Sequence, residues 1–148
     1  MEESDPQVVL KKYGINEITN VYPKIYELVF GEFTVNGNCP SEVYLGFEND
    51  KVVGFAAGYI QSPNTWYLQR AGFTMDEQRR AINLKRYLAA LEVIHETWQF
   101  ITTLVKNTDF RALKMDLATG WVINGCRIDS AKDFWVELTH QKRTAIER

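Results

Sequence analysis

Cysteine is nearly absent. Cys39 and Cys126 are the two in 148 residues, too few for a disulfide framework or a thiolate metal site, and in keeping with a reducing compartment. Histidine is as scarce: His95 and His140 have no second His or Cys at ligand spacing, so each reads as a core or surface histidine and no metal site is expected. The 4 prolines and 9 glycines gather into no linker, and neither a repeat nor a low-complexity tract appears. Residues 1–148 therefore read as one domain. Charge of one sign is also lacking, with 17 Lys plus Arg against 19 Asp plus Glu and a net charge of -2, which gives no overall pull toward nucleic acid or anionic membrane. The longest apolar run, Val52 to Ile60, falls far short of the ~20 residues that cross a bilayer. The opening MEESDPQ is acidic and leads into no apolar core, unlike a signal peptide. Nucleophile elbow, P-loop and dinucleotide fingerprint are missing too. These absences point to a soluble, cytoplasmic chain.

What is present is an ordinary globular balance, 45% hydrophobic and 24% charged, in a chain long enough to bury roughly 68–70% of its unfolded surface. Val8 to Tyr13 reads as a strand. Ile18, Val21, Tyr22, Ile25, Leu28, Val29 and Phe33 fall near helical spacing, with Pro23 expected in the first turn or as a break. Asn36, Gly37, Asn38 and Pro40 mark a loop. Glu42 to Glu48 and Lys51 to Ile60 flank Asn49-Asp50, a hairpin pattern. Gly54 and Gly58 inside the second strand point to a bend or a close backbone approach. Ser62, Pro63 and Asn64 lead to a strand over Thr65 to Phe73. Thr74 and Glu77 fit a capping box that starts a long helix at Met75, along which Leu84, Tyr87, Leu88, Leu91, Ile94 and Trp98 form an apolar stripe. Phe100 to Val105 is strand-like, Asp109 caps a short helix reaching Thr119, and Gly120 stops it. Trp121 to Arg127 and Phe134 to Thr139 close the chain. The order is β-α-β-β-β-α-β-α-β-β, an α/β single domain.

One local charge concentration stands out: Arg79, Arg80, Lys85 and Arg86. It reads first as a solvated helix face and second as an anion site. Trp66, Tyr67, Trp98 and Phe100 read as core rather than as a stacking platform, because no basic stripe interleaves them.

VKNTDFRALKMDLATGW followed by VINGCRI, together with the hairpin GFENDKVVGFAAGYI and the element order, resembles the GCN5-related N-acetyltransferases (the GNAT superfamily). In this resemblance Asp109 takes the helix-capping position, Ala112 the small helix residue and Gly120-Trp121 the Gly-aromatic step. The nearest likeness is to short bacteriophage proteins of that superfamily, which include acetyltransferases and internal virion proteins of podophages. The resemblance implies a mostly antiparallel mixed sheet flanked by helices. It also implies that the strands ending near Phe73 and starting near Phe100 are neighbours, splaying where the family inserts the pantetheine arm of acetyl-CoA.

Acetyl-CoA is accordingly the expected cofactor and an amine the expected acceptor. The family's pyrophosphate turn matches Gln78, Arg79, Arg80, Ala81, Ile82 and Asn83, which makes Gln78, Arg79, Arg80, Ala81 and Asn83 the expected cofactor-binding residues. Ala81 and Asn83 stand where the family has small residues and crowd the backbone approach that glycine allows. Asp76 and Glu77 at the positive helix end repel phosphate, while Arg79 and Arg80 offset them by side-chain contact. The catalytic Tyr of the family is replaced by Asp116, expected to be ionised at an ordinary pKa. Glu48, Tyr59, Tyr67 and Glu137 stay open as general bases. Two functions follow: an acetyl-CoA-dependent N-acetyltransferase of phage type, or a non-catalytic structural or interaction protein of the same fold, partnered by other virion or host proteins.

Overall fold

The computed structural model describes residues 8–14, 16–32 and 40–143; Phe33, Cys39 and the Asn36–Asn38 part of the loop lie outside them. Among the described residues the elements are β1 (Val9–Tyr13), α1 (Ile18–Phe30), β2 (Glu42–Glu48), β3 (Lys51–Ser62), β4 (Thr65–Phe73), α2 (Asn83–Ile94), β5 (Phe100–Lys106), α3 (Phe110–Ala118), β6 (Val122–Ile128) and β7 (Phe134–Gln141). This is the element order read from the sequence. The strands form one sheet ordered β1-β2-β3-β4-β5-β7-β6, antiparallel except where β4 meets β5. None of the described helices is long and apolar enough to cross a membrane.

Asn49 and Asp50 carry φ of 53° and 62°, the two positive values that let a two-residue turn follow the strand twist. β3 is covered on both faces and divides its side chains between two cores, Ala56 facing one and Phe55 and Ala57 the other. Phe55 and Ala57 join Ile18, Tyr22, Ile25 and Val29 of α1. On the opposite face, Trp66 and Leu68 of β4 pack with Leu91 and Ile94 of α2 and with Ile101, Trp121 and Leu138, and Ala112 and Leu113 of α3 join them. Pro23 neither starts nor breaks α1 but sits inside it; only the amide that would bond one turn back is lost.

Two corrections concern α2. It begins at Asn83, not Met75, and residues 75–79 form turns. Leu84 and Leu88 are 40% and 39% exposed, so the buried stripe runs instead through Asn83, Arg86, Leu91 and Ile94. Trp98 follows the helix and is buried beyond its end.

The close approach expected at the β3 glycines is present. A Cβ at Gly54 would stand 2.7 Å from the Gly72 carbonyl oxygen, and one at Gly58 would collide with the Tyr67 carbonyl. Both obstacles are backbone, which gives way less readily than a side chain. Gly58→Ala should therefore cost about 1–3 kcal/mol through overpacking, read as a lower urea midpoint. An unchanged midpoint would show that the β3–β4 register can shift to admit the methyl.

Candidate active site

Pairing between β4 and β5 runs from Thr65 with Phe100 to Leu68 with Thr103 and goes no further. The cause lies on the other side of β4. Gly58 faces Leu68 but Ala57 faces Arg70, so Gln69 is an extra residue, a β-bulge that bends its strand. Past the bulge β4 follows β3 to Phe73, while β5 follows β7 to Lys106. Between the parted strands opens a cleft of about 780 Å³, lined among others by Arg70, Phe73, Tyr87, Lys106, Asp116 and Trp135. Among the described residues the β5-side edge of residues 70–72 has no partner strand. It therefore offers amides and carbonyls to an extended ligand that carries amides of its own.

Asp116 reaches this cleft from α3, whose start is fixed as expected: the Asp109 carboxylate accepts from the Ala112 amide at 3.2 Å. Its side chain is 7% exposed and accepts from the Tyr87 hydroxyl at 2.8 Å. Burial raises its pKa to about 6, with Asp109 adding repulsion and the Tyr87 bond opposing the rise. The expectation of an ordinary, fully ionised carboxylate is thus corrected, since desolvation penalises the charged form. Tyr87 in turn is pushed well above its usual value by burial and by the Asp116 charge. Sequence reading placed Tyr87 in the apolar stripe and missed its hydroxyl; no spacing rule links two residues on separate helices.

The reading of the basic cluster as a solvated face fails for Arg86, which is 4% exposed. Its Nε donates to Glu48 at 2.7 Å, and its Nη1 donates to Glu77 at 2.8 Å and to Asn83 Oδ1 at 3.0 Å. Glu77, also bound by Arg80 and by Lys51, is held down at about 2 chiefly by Arg86. The capping box does not form: Thr74 donates to Asp76 and Glu77 faces Arg86.

The expected cofactor-binding residues divide accordingly. Gln78 clamps the loop by donating to the carbonyls of Val29 and Phe73, both at 2.9 Å. Asn83 turns inward, donating to the Glu77 carbonyl at 2.8 Å, so its side chain does not stand over the helix end. Ala81 lies outside α2. Arg80 is tied to Glu77, and Arg79, at φ 67°, is exposed and has no ion pair among the described residues.

Of the open general-base candidates, Glu48 is engaged by Arg86. Tyr59 and Tyr67 stack with ring centroids 4.9 Å apart. Glu137 pairs with Arg127 at 3.1 Å and lies near enough to Tyr67 to add to the rise that burial gives its hydroxyl.

Two pH effects follow. Glu77 titrates at about 2 in the fold against an ordinary 4.5, so its stabilisation is present above 4.5 and lost as pH falls through about 2. Glu77→Gln should cost about 3–5 kcal/mol at neutral pH, because Arg86 loses a partner while still buried, and the deficit should shrink in acid. Asp116 has the opposite sign: native stability falls as pH rises from 3.8 through about 6. Asp116→Asn should raise stability by roughly 1–3 kcal/mol above pH 6 and change it little near pH 4, measured by denaturant unfolding at both pH values.

No protein-family model and no curated protein matches this chain. Solved structures do. A GNAT-family acetyltransferase from Bacillus cereus superposes with a TM-score of 0.65 at 15% identity, covering 93% of this chain and 99% of its own. A GNAT-family acetyltransferase from Elizabethkingia anophelis, solved with acetyl-CoA bound, gives 0.63 at 12% identity, covering 91% and 98%. The ribosomal-protein-S18-alanine N-acetyltransferase from Escherichia coli gives 0.63 at 12% identity, covering 94% and 96%. At such identities the likeness is one of architecture, and the architecture of this chain is the GNAT fold.

Proposed function

We propose that the protein is an acetyl-CoA-dependent N-acetyltransferase acting on an amine. The observation that carries this reading is the parting of β4 from β5 at the Gln69 bulge, which opens an unpaired backbone edge beside a buried carboxyl group of raised pKa. The edge fits the pantetheine arm, whose amides would continue the pairing that β5 abandons. Arg79, exposed and without an ion pair among the described residues, fits a pyrophosphate. So does the start of α2 past the Asn83 amide, which is given to the Arg80 carbonyl, now that the Asn83 side chain is turned inward and the helix starts beyond Ala81.

Acetyl-CoA, when bound, would supply an activated acetyl thioester. The chain's part is to hold thioester and amine together, which by itself lowers barriers by ~7–11 kcal/mol in well-oriented systems, and to manage protons. Tyr87 occupies Oδ1 of Asp116, so the proton that Asp116 takes up resides on Oδ2 and is available to a leaving group in the cleft. Burial raises the Tyr67 hydroxyl and keeps it a proton donor. Of the two carboxylates, Glu137, whose partner Arg127 is exposed, is the more readily freed for accepting the amine proton, Glu48 being held by the buried Arg86.

The other reading, a non-catalytic protein of this fold serving as a structural part of a phage particle or binding host proteins, is favoured by the β4–α2 loop. That loop is closed on itself by the Glu77 ion pairs, and no glycine occurs between Gly72 and Gly120. An acetyltransferase would work in the host cytoplasm, and a structural part would travel in the virion.

Calorimetric titration with acetyl-CoA separates them. The enzyme reading expects saturable binding that Arg79→Ala weakens about tenfold, the worth of one charge-assisted phosphate contact. Arg80→Ala should weaken it less, since Arg80 is already paired. Absence of heat at millimolar acetyl-CoA would decide for the structural role.

A further inference from the structure

His95 ends α2 and His140 lies in β7, and their rings meet. His95 Nε2 stands 2.7 Å from His140 Nδ1. The outer nitrogens both face carbonyl oxygens: His95 Nδ1 is 2.8 Å from that of Trp98, and His140 Nε2 is 2.9 Å from that of Thr119. A carbonyl only accepts, so each outer nitrogen must carry a hydrogen. In two neutral rings this leaves the inner nitrogens as two lone pairs facing each other at 2.7 Å. That distance is one of a hydrogen bond and needs a third proton between the rings.

We propose that His95 and His140 form a single-proton latch. The pair takes up one proton between its two rings, and only then are all three hydrogen bonds made, tying the ends of α2 and α3 to β7.

The surroundings favour one such charge and refuse a second. The C-terminal ends of α2, at His95, and of α3, at Thr119, both lie against the pair, and helix C-termini favour a cation. The Trp121 ring lies edge-on to His140 at 5.4 Å. The charged groups lining the adjoining groove are Glu92 of α2 and Lys142 and Arg143 beyond β7; α3 and the turn after it contribute none. Burial first, then Lys142, lowers His95, while burial, the His95 charge and Arg143 lower His140. Uptake therefore falls on the acid side of the ordinary histidine value, and two interacting rings titrate as a unit.

The latch stands apart from the acetyl-CoA reading, but its reach does not end at the histidines. The amides of Thr119 and Trp121 both donate to the carbonyl of Asp116, at 3.0 and 3.1 Å. If that reading of Asp116 holds, freeing Thr119 loosens the segment that fixes the cleft carboxyl.

The test is long-range nitrogen NMR of the imidazoles in the full chain without acetyl-CoA, from about pH 4.5 to 8, with amide exchange followed in parallel. The expected result is one shared step in which both rings move together, His95 Nδ1 and His140 Nε2 staying protonated throughout. As pH rises through the step, intrinsic-rate-corrected protection of the Trp121 amide should fall roughly two- to tenfold, the effect of one hydrogen bond. With Asp116→Asn in both backgrounds, which removes the Asp116 titration near 6, the exchange change should persist beside the parent histidine pair and vanish in His140→Gln, where His95 should titrate alone. Two independent steps, the opposite nitrogens protonated, or protection unchanged through the step would each overturn the proposal. Should the variant fail to fold, the parent spectra decide between the same outcomes.

Discussion

A guanidinium held out of water sets where the central helix begins. Arg86 is 4% exposed, and a buried cation left alone is penalised by several kcal/mol. It therefore gathers acceptors from three places: Glu48 at the end of β2, Glu77 in the loop after β4, and Asn83 in the first turn of its own helix. A helix running unbroken from Met75 would hold Glu77 and Arg86 about 13.5 Å apart along its axis, beyond any ion pair. The loop must fold back for Glu77 to reach Arg86, so α2 cannot start before that fold is complete. The local capping signal at Thr74 is genuine in sequence and loses to a tertiary charge.

The same fold-back positions the cleft. With Gln78 bridging the carbonyls of Val29 and Phe73, the end of β4 is fastened to α1 rather than to β5, and the Gln69 bulge upstream releases it from β5. β4 keeps β3 as its neighbour from Thr65 to Phe73 but keeps β5 only as far as Leu68. The cleft is the space left where β5 departs, and Tyr87, one residue after the buried Arg86, presents its hydroxyl into it.

Much of this was legible in the sequence where local chemistry decides. The Asn49-Asp50 turn, the Asp109 cap, the Gly120 stop and the tight backbone at Gly58 each follow from what a few adjacent residues can do. The resemblance implied that the strands ending near Phe73 and starting near Phe100 are neighbours that splay at one end, and they part past Leu68 and Thr103. Illegible were the contacts made by residues far apart in the chain. Arg86 looked like one more solvated cation because its acids lie 38 and 9 residues away. Asp116 looked like an ordinary carboxylate because burial is not written in its neighbours. His95 and His140, 45 residues apart, looked like two lone histidines.

These residues share one physical theme, the placing of titratable groups where water does not reach. For Arg86 and Glu77 the outcome is a fixed charge, because each supplies the other's counter-ion and neither changes state between pH 5 and 8. Asp116 is different. Among the described residues its side-chain partner is the neutral Tyr87 hydroxyl, which eases ionisation without neutralising it, so burial wins and the titration moves to about 6. An acid titrating there is about one-tenth protonated at pH 7, against less than one part in a thousand for an ordinary aspartic acid. On the proposed acetyltransferase reading, that difference of roughly two orders of magnitude is what would let a carboxyl group stand where the resembled family has a phenol. The substitution is thus chemically tolerable only in company with its burial, and its burial depends on α3 staying packed against Tyr87.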